Sequence, residues 1–213
     1  MISHDSKCIF IHQRKNAGSS IIEFFGVPKD TPEHHLYNEG VLSKSEKYGY
    51  LEDLVKFRDD GYLVFAVCRN PWDRAVSGWK YLIKEGYLEP TCSLYDALNG
   101  KGLVCPNIKR LSNRKYIVYT HLLRPQVDTL MMEDGKCIAN EVLRFETIDE
   151  DFFQLARKAG YQLDKIKLPK KNKSTNDSWK NEYDEKTDLL VRMLFSEDIH
   201  FFNYKDDGPN WEK

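Results

Sequence analysis

Two short stretches of the chain combine cations, small residues and hydroxyls in an order suited to holding anions. The first is Q-R-K-N-A-G-S-S, residues 13–20, set between K-C-I-F-I-H and the apolar I-I-E-F-F. A turn joining a buried strand to a helix aims several unbonded main-chain N–H groups at one point, with the helix dipole behind them. Lys15 adds a mobile positive charge, Gly18 allows close backbone approach, and Ser19 and Ser20 supply hydroxyls. The pattern is not a Walker A loop, which needs Lys directly after its last glycine. Here that position is Ser19, and the lysine lies three residues before Gly18. Taken alone, the signal is weak, and the segment reads first as an ordinary strand-to-helix turn. The second stretch is C-R-N-P-W-D-R, residues 68–74. Asn70 suits a helix N-cap, Pro71 the first helical position, and Asp73 the third. Capping accounts for those three residues. It does not account for Arg69, or for Ser77, which sits about 100° around the helix from the apolar stripe and leans back toward the helix start.

The elements that must position these residues follow from periodicity. Residues 7–12 and 62–68 are short continuous apolar runs that predict buried strands, and 141–145 predicts a third. Helices are expected over 19–25, closed by Gly26 and Pro28, then over 50–59, 72–84, 147–159 and 184–195, with broken helix across 93–132. Residues 31–47 read as polar and irregular, and 168–178 as a basic loop. Strands alternating with helices, and apolar on both faces, imply an α/β fold with a central parallel sheet flanked by helices. Ligands of such sheets bind at the carboxyl ends of the strands, where both anion-suited stretches lie.

With 213 residues the chain fits one domain, 1–213. Its 41% hydrophobic content can fill a core and exceeds that of a disordered chain. The 32 basic residues balance 33 acidic ones, so the net charge of -1 argues against a general nucleic-acid or membrane-surface partner. The balance is uneven, however. Residues 97–127 carry six basic residues and no acidic one, 157–180 eight basic and two acidic, and 182–213 four basic and nine acidic. Either these are solvated faces, or a basic cleft sits on an acidic body and attracts a polyanion. No apolar run approaches the roughly 20 residues needed to span a bilayer. The N-terminus lacks a signal-peptide pattern, and the five cysteines show no zinc-type spacing. Free thiols and a cytoplasmic setting are the expectation.

I-F-I-H-Q-R-K-N-A-G-S-S-I resembles the 5′-phosphosulfate segment of the carbohydrate-type (Golgi-type) sulfotransferases, commonly I-H-I-P-K-T-A-G-T-S. F-A-V-C-R-N-P-W-D-R-A-V-S resembles their 3′-phosphate segment, R-N-P-W-D-R-x-x-S, with the spacing from Arg69 to Ser77 kept. The likeness continues in T-H-L-L-R-P-Q, V-L-R-F-E-T-I-D-E-D-F, L-P-K-K-N-K-S and D-I-H-F-F-N-Y, and so runs over nearly the whole chain in order. Arg14, Asn16 and Ser19 depart from the usual Pro, Thr and Thr. The resemblance implies a small member with a three-layer, P-loop-like sulfotransferase fold. It implies transfer of a sulfuryl group from 3′-phosphoadenosine 5′-phosphosulfate (PAPS) to an acceptor hydroxyl or amine, a glycan first. Adenosine 3′,5′-bisphosphate (PAP) would be the product, and no metal would be required. Arg14, Lys15, Asn16, Ala17, Gly18, Ser19 and Ser20 would hold the 5′-phosphosulfate, with Lys15 catalytic. Arg69 and Ser77 would bind the 3′-phosphate, and Lys173 and Ser174 would close over the nucleotide.

A hydroxyl acceptor calls for a base near neutral pH, and histidine suits it. His34 and His35 follow the first helix, and His121 lies in T-H-L-L-R-P-Q; the order of preference places His35 first. His12 reads as structural. Two other functions compete. A kinase-like phosphotransferase would need the Walker lysine and a Mg²⁺ arrangement. A binding module for anionic glycans or RNA would use the basic tracts without needing Lys15.

Overall fold

The computed structural model describes residues 1–28, 31–35, 51–105, 111–132, 134–162, 164, 166–169, 178–205 and 207–209. Its contacts group the chain into two compact units, Met1–Arg69 with Gln126–Lys173, and Asn70–Pro125 with Ser174–Lys213.

The first unit is built on a four-stranded sheet in the order β1 (Ile2–Ser3), β2 (Cys8–Ile11), β3 (Leu63–Cys68) and β4 (Glu141–Arg144). β2, β3 and β4 run parallel, with Phe10 beside Phe65 and Val67 beside Leu143. Side chains alternate between faces along a strand. Cys8, Phe10, Phe65, Val67 and Leu143 share one core with Ile21 and Ile22 of α1 (Gly18–Phe25) and with Phe152, Leu155 and Ala156 of α7 (Ile148–Lys158). Phe24 sits edge-on to Phe152, their ring centres 4.8 Å apart. The alternate residues Ile9, Ile11, Val64 and Ala66 are buried as well, which is why these strands read as unbroken apolar runs. α3 (Leu51–Asp59) packs against β3. This is the mixed α/β architecture expected, a largely parallel sheet flanked by helices.

Two elements depart from the sequence reading. β1 pairs antiparallel with β2 and was not expected, because two residues are too few to show a period. Pro32–His35 forms one helical turn, α2, inside a stretch read as irregular. Residues 36–47 of that stretch lie outside the described residues, as does most of the basic loop 168–178.

The second unit is helical. It contains α4 (Pro71–Lys84), α5 (Leu94–Leu98), α6 (Leu111–Val118), a π turn (Tyr119–Leu123), a 3-10 turn (Ser178–Glu182), α8 (Glu185–Leu194) and α9 (Ser196–Phe201). α4 starts as its sequence dictates. The Asn70 side chain accepts hydrogen bonds from the N–H groups of Trp72 and Asp73, and Pro71 occupies the first turn. Trp72 is fully buried, its Nε1 donating to Asp188 at 2.7 Å, while the Tyr183 hydroxyl donates to its carbonyl. All five cysteines are free thiols. Among the described residues no helix is long and apolar enough to cross a membrane.

Candidate active site

The two strand-to-helix loops begin their helices in opposite ways. At α4 the Asn70 carboxamide satisfies the helix start. At α1 the N-cap is Ala17, whose side chain cannot accept a hydrogen bond. Ala17 is also left-handed, at φ 57°, and so is Lys15, at φ 71°; Asn16 and Gly18 are not. A left-handed conformation costs a non-glycine residue about 1–2 kcal/mol. Alternating hand across residues 15–18 is the backbone pattern that turns successive N–H groups toward a common concavity, a nest for an anion. The N–H groups of Asn16, Ala17, Gly18 and Ser19 make no hydrogen bond to any described residue. The first to bond is that of Ser20, to the Ala17 carbonyl at 3.0 Å. Four consecutive donors at a helix start, in a strained loop, make a cradle suited to an anion. Ser19 is exposed beside it, Ser20 is buried, and Arg14 and Lys15 are partly exposed.

Arg69 follows the last residue of β3 and is 3% exposed. Its guanidinium donates to the Lys15 carbonyl at 2.9 Å and lies over the Phe145 ring, 4.0 Å from the ring centre. The structure therefore joins the two sequence-derived cationic positions, Lys15 and Arg69, at the carboxyl ends of adjacent parallel strands. A guanidinium carries five N–H donors in a planar fork. The bond to the Lys15 carbonyl fixes its direction.

Asn16 faces the other way. It is fully buried, and its Nδ2 lies within hydrogen-bond distance of the Val67 carbonyl, Gln126 Oε1 and Gln13 Oε1. Its side chain ties the loop to β3, so only its main-chain N–H belongs to the cradle. This explains why an amide can stand where the resembling segment has a hydroxyl.

In the second unit Ser77 is half-buried on α4, two turns from the Asn70 cap and so on nearly the same azimuth. His121 lies in the π turn and is 5% exposed. Its Nδ1 is 2.8 Å from the Ile117 carbonyl, and its ring stacks on Tyr81 with centres 4.9 Å apart. A proton on Nδ1, donated to that carbonyl, fixes both tautomer and ring plane. Gly78 lets α4 approach this turn, since a Cβ there would run into the His121 carbonyl. His35 ends α2, and its neighbour His34 is half-buried. Lys173 and Ser174 lie outside the described residues. Among the described residues no cluster of His, Cys, Asp or Glu could hold a metal ion.

No protein-family model matches the chain, and no curated protein matches it. Among solved structures, the chain is similar to a sulfotransferase from Alicyclobacillus acidocaldarius. The identity is 15%, the match covers 92% of this chain and 98% of that one, and the TM-score is 0.42.

Three residues of the site were not singled out in the sequence. Gln13, Gln126 and Thr129 are buried and hydrogen-bonded beneath the Lys15 loop. Gln126 stood in T-H-L-L-R-P-Q, but nothing local marks it as different from any polar loop residue. Gly18 has a role its type suggested, with a different neighbour. A Cβ there would overlap the ring of His12, which is stacked on Phe10. Gly18→Ala should therefore displace His12 or the start of α1. The expected loss is about 1–3 kcal/mol, the usual cost of overpacking, read as a lower urea midpoint. An unchanged midpoint would mean that the His12 ring moves away freely.

Proposed function

We propose that this chain is a PAPS-dependent sulfotransferase, a single domain over residues 1–213 that sulfates a hydroxyl or amine, on a glycan first. The observation that carries this reading is the row of four N–H groups beside Lys15 that bond to none of the described residues, with the Arg69 guanidinium held against the same loop. A nucleotide with a 5′-phosphosulfate and a separate 3′-phosphate needs two such anion positions, and the resemblance assigns one phosphate to each. The Asn16–Ser19 donors and Lys15 would take the 5′ group, while Arg69, with Ser77, would take the 3′-phosphate. Lys173 and Ser174 would close over the nucleotide.

In the transfer, the acceptor oxygen forms a bond to sulfur as the bond between sulfur and the bridging phosphate oxygen breaks. Negative charge grows on the departing phosphate, and the acceptor proton goes to a base, which we assign to a histidine. The cradle's part is electrostatic, since fixed N–H dipoles and the Lys15 ammonium stabilise charge without reorganising. That supplies the stabilisation without a metal ion. Five free thiols support a reducing, cytoplasmic setting.

The test is nucleotide selectivity by calorimetry. PAP should bind about ten- to a hundredfold more tightly than AMP, the worth of one charge-assisted, multidentate contact. Arg69→Ala should erase that preference. Because Arg69 also braces the Lys15 carbonyl and covers Phe145, the variant should lose thermal stability as well. Equal affinity of the wild type for PAP and AMP would remove the reading.

A further inference from the structure

We propose that Gln126 is a positioning residue that sets the spacing between the 5′-anion cradle and Arg69, so that both phosphates of one nucleotide are engaged together. The proposal rests on the donor reading above. Gln126 is 2% exposed and bonds at every polar atom of its side chain. Its Oε1 accepts from the Arg69 N–H at 2.9 Å and from Asn16 Nδ2 at 2.7 Å. Its Nε2 donates to the Arg69 carbonyl at 2.9 Å. The β2–β3 ladder ends at Ile11 beside Ala66. Three residues further along, this side-chain amide gives Arg69 the two-bond rung that a neighbouring strand would give. One amide thus grips residue 69 by both main-chain groups and, with the same oxygen, holds the Lys15 loop through Asn16.

The main chain of Gln126 is tied in as well. Its carbonyl accepts from Gln13 Nε2 at 2.7 Å and from the Thr129 hydroxyl at 3.0 Å, and Gln13 Nε2 also reaches Thr129 Oγ1 at 2.6 Å. Gln13 directly precedes the Arg14–Lys15 turn, so the loop is held from both ends. Stability alone is a poor account of these buried amides. Asn16 Nδ2 has two hydrogens for three acceptors, and its Oδ1 is buried with no hydrogen bond among the described residues. An apolar residue of similar size would avoid that desolvation. What the network secures is a fixed geometry.

Preorganisation of this kind has a distinctive signature. A ligand with one phosphate needs only one of the two positions, and a loosened loop can still adjust to it. A ligand with two phosphates needs the correct spacing, and loses affinity when the loops must be ordered on binding. The experiment compares PAP, AMP and adenosine 3′-monophosphate on the full chain, wild type against Gln126→Met and Gln126→Glu. Methionine keeps the length and removes all the side-chain bonds. Glutamate keeps both accepting bonds and loses the donated one. Gln126→Met should bind PAP at least about tenfold more weakly, while both monophosphates stay within about threefold of wild type. Gln126→Glu should fall between, and it carries the same comparison should the methionine variant not fold. A loss shared equally by all three nucleotides, or no loss, overturns the positioning role and leaves the donor reading standing. A wild type that does not distinguish PAP from AMP overturns both.

Discussion

Replacing Lys15 by alanine should slow sulfuryl transfer by about a hundred- to a thousandfold, the range for removing one electrostatic stabiliser of a developing anion. Donor affinity should change far less, because the charge of Lys15 is worth most when the leaving phosphate is most negative. The structure supplies the control. Lys15 is left-handed at φ 71°, a strained conformation for alanine as much as for lysine, so Lys15→Ala removes charge without relieving the backbone. Lys15→Gly removes the same charge and relaxes the strain. Equal slowing in both variants assigns the effect to the ammonium group. Recovery in the glycine variant would assign it to loop geometry, and near-normal turnover in both would make Lys15 a surface residue. The wild type should also keep its activity in EDTA. Loss in chelator, restored by Mg²⁺, would favour a kinase-like phosphotransferase on this architecture.

The sequence shows which loops are suited to anions, but not how each loop is built. β2 and β3 were legible because both faces of the sheet are buried there, so their residues read as continuous apolar runs. α4 was legible because Asn70, Pro71 and the Trp72 stripe each obey a local rule. α1 is different: its start violates the capping rule, with an alanine at the N-cap and left-handed Lys15 and Ala17. No propensity argument predicts that state, because the surrounding structure imposes it. The Gln126 network escaped for a related reason. Gln126 is 110 residues from Asn16 and 57 from Arg69, and a contact across that distance leaves no trace in local spacing. Asn16 shows both sides of the matter. Its place between the strand and α1 is plain in the sequence, while the inward turn of its side chain depends on the β3 carbonyl beneath it.

The loss of the acceptor-activating histidine should be the most damaging single change, about a hundred- to ten-thousandfold in turnover with donor affinity nearly unchanged. We assign the role to His35 ahead of His34 and His121. His35 ends the single turn α2, which follows the anion-cradle helix in the chain. That turn is fastened by the Thr31 hydroxyl bonding the Pro28 carbonyl at 2.9 Å and by the His34 N–H bonding the Thr31 carbonyl at 3.1 Å. His121 meets a different requirement, since its ring is fixed by Ile117 and Tyr81. The same contacts give His121→Ala a structural cost: it leaves the Ile117 carbonyl without this donor and Tyr81 without its stacking partner. Turnover must therefore be read beside thermal stability and beside the pH profile. A base works only when neutral, so wild-type kcat should fall tenfold per pH unit on the acid side of the profile, where the base becomes protonated. The variant that removes the base should lose this acid limb, whereas a variant that merely loosens the fold should keep it at lower amplitude. If only His121→Ala flattens the profile, the base lies in the π turn and the reaction class stands. If alanine at 34, 35 and 121 each leaves turnover and profile intact, the proton goes to a carboxylate or to water, and the histidine mechanism is wrong.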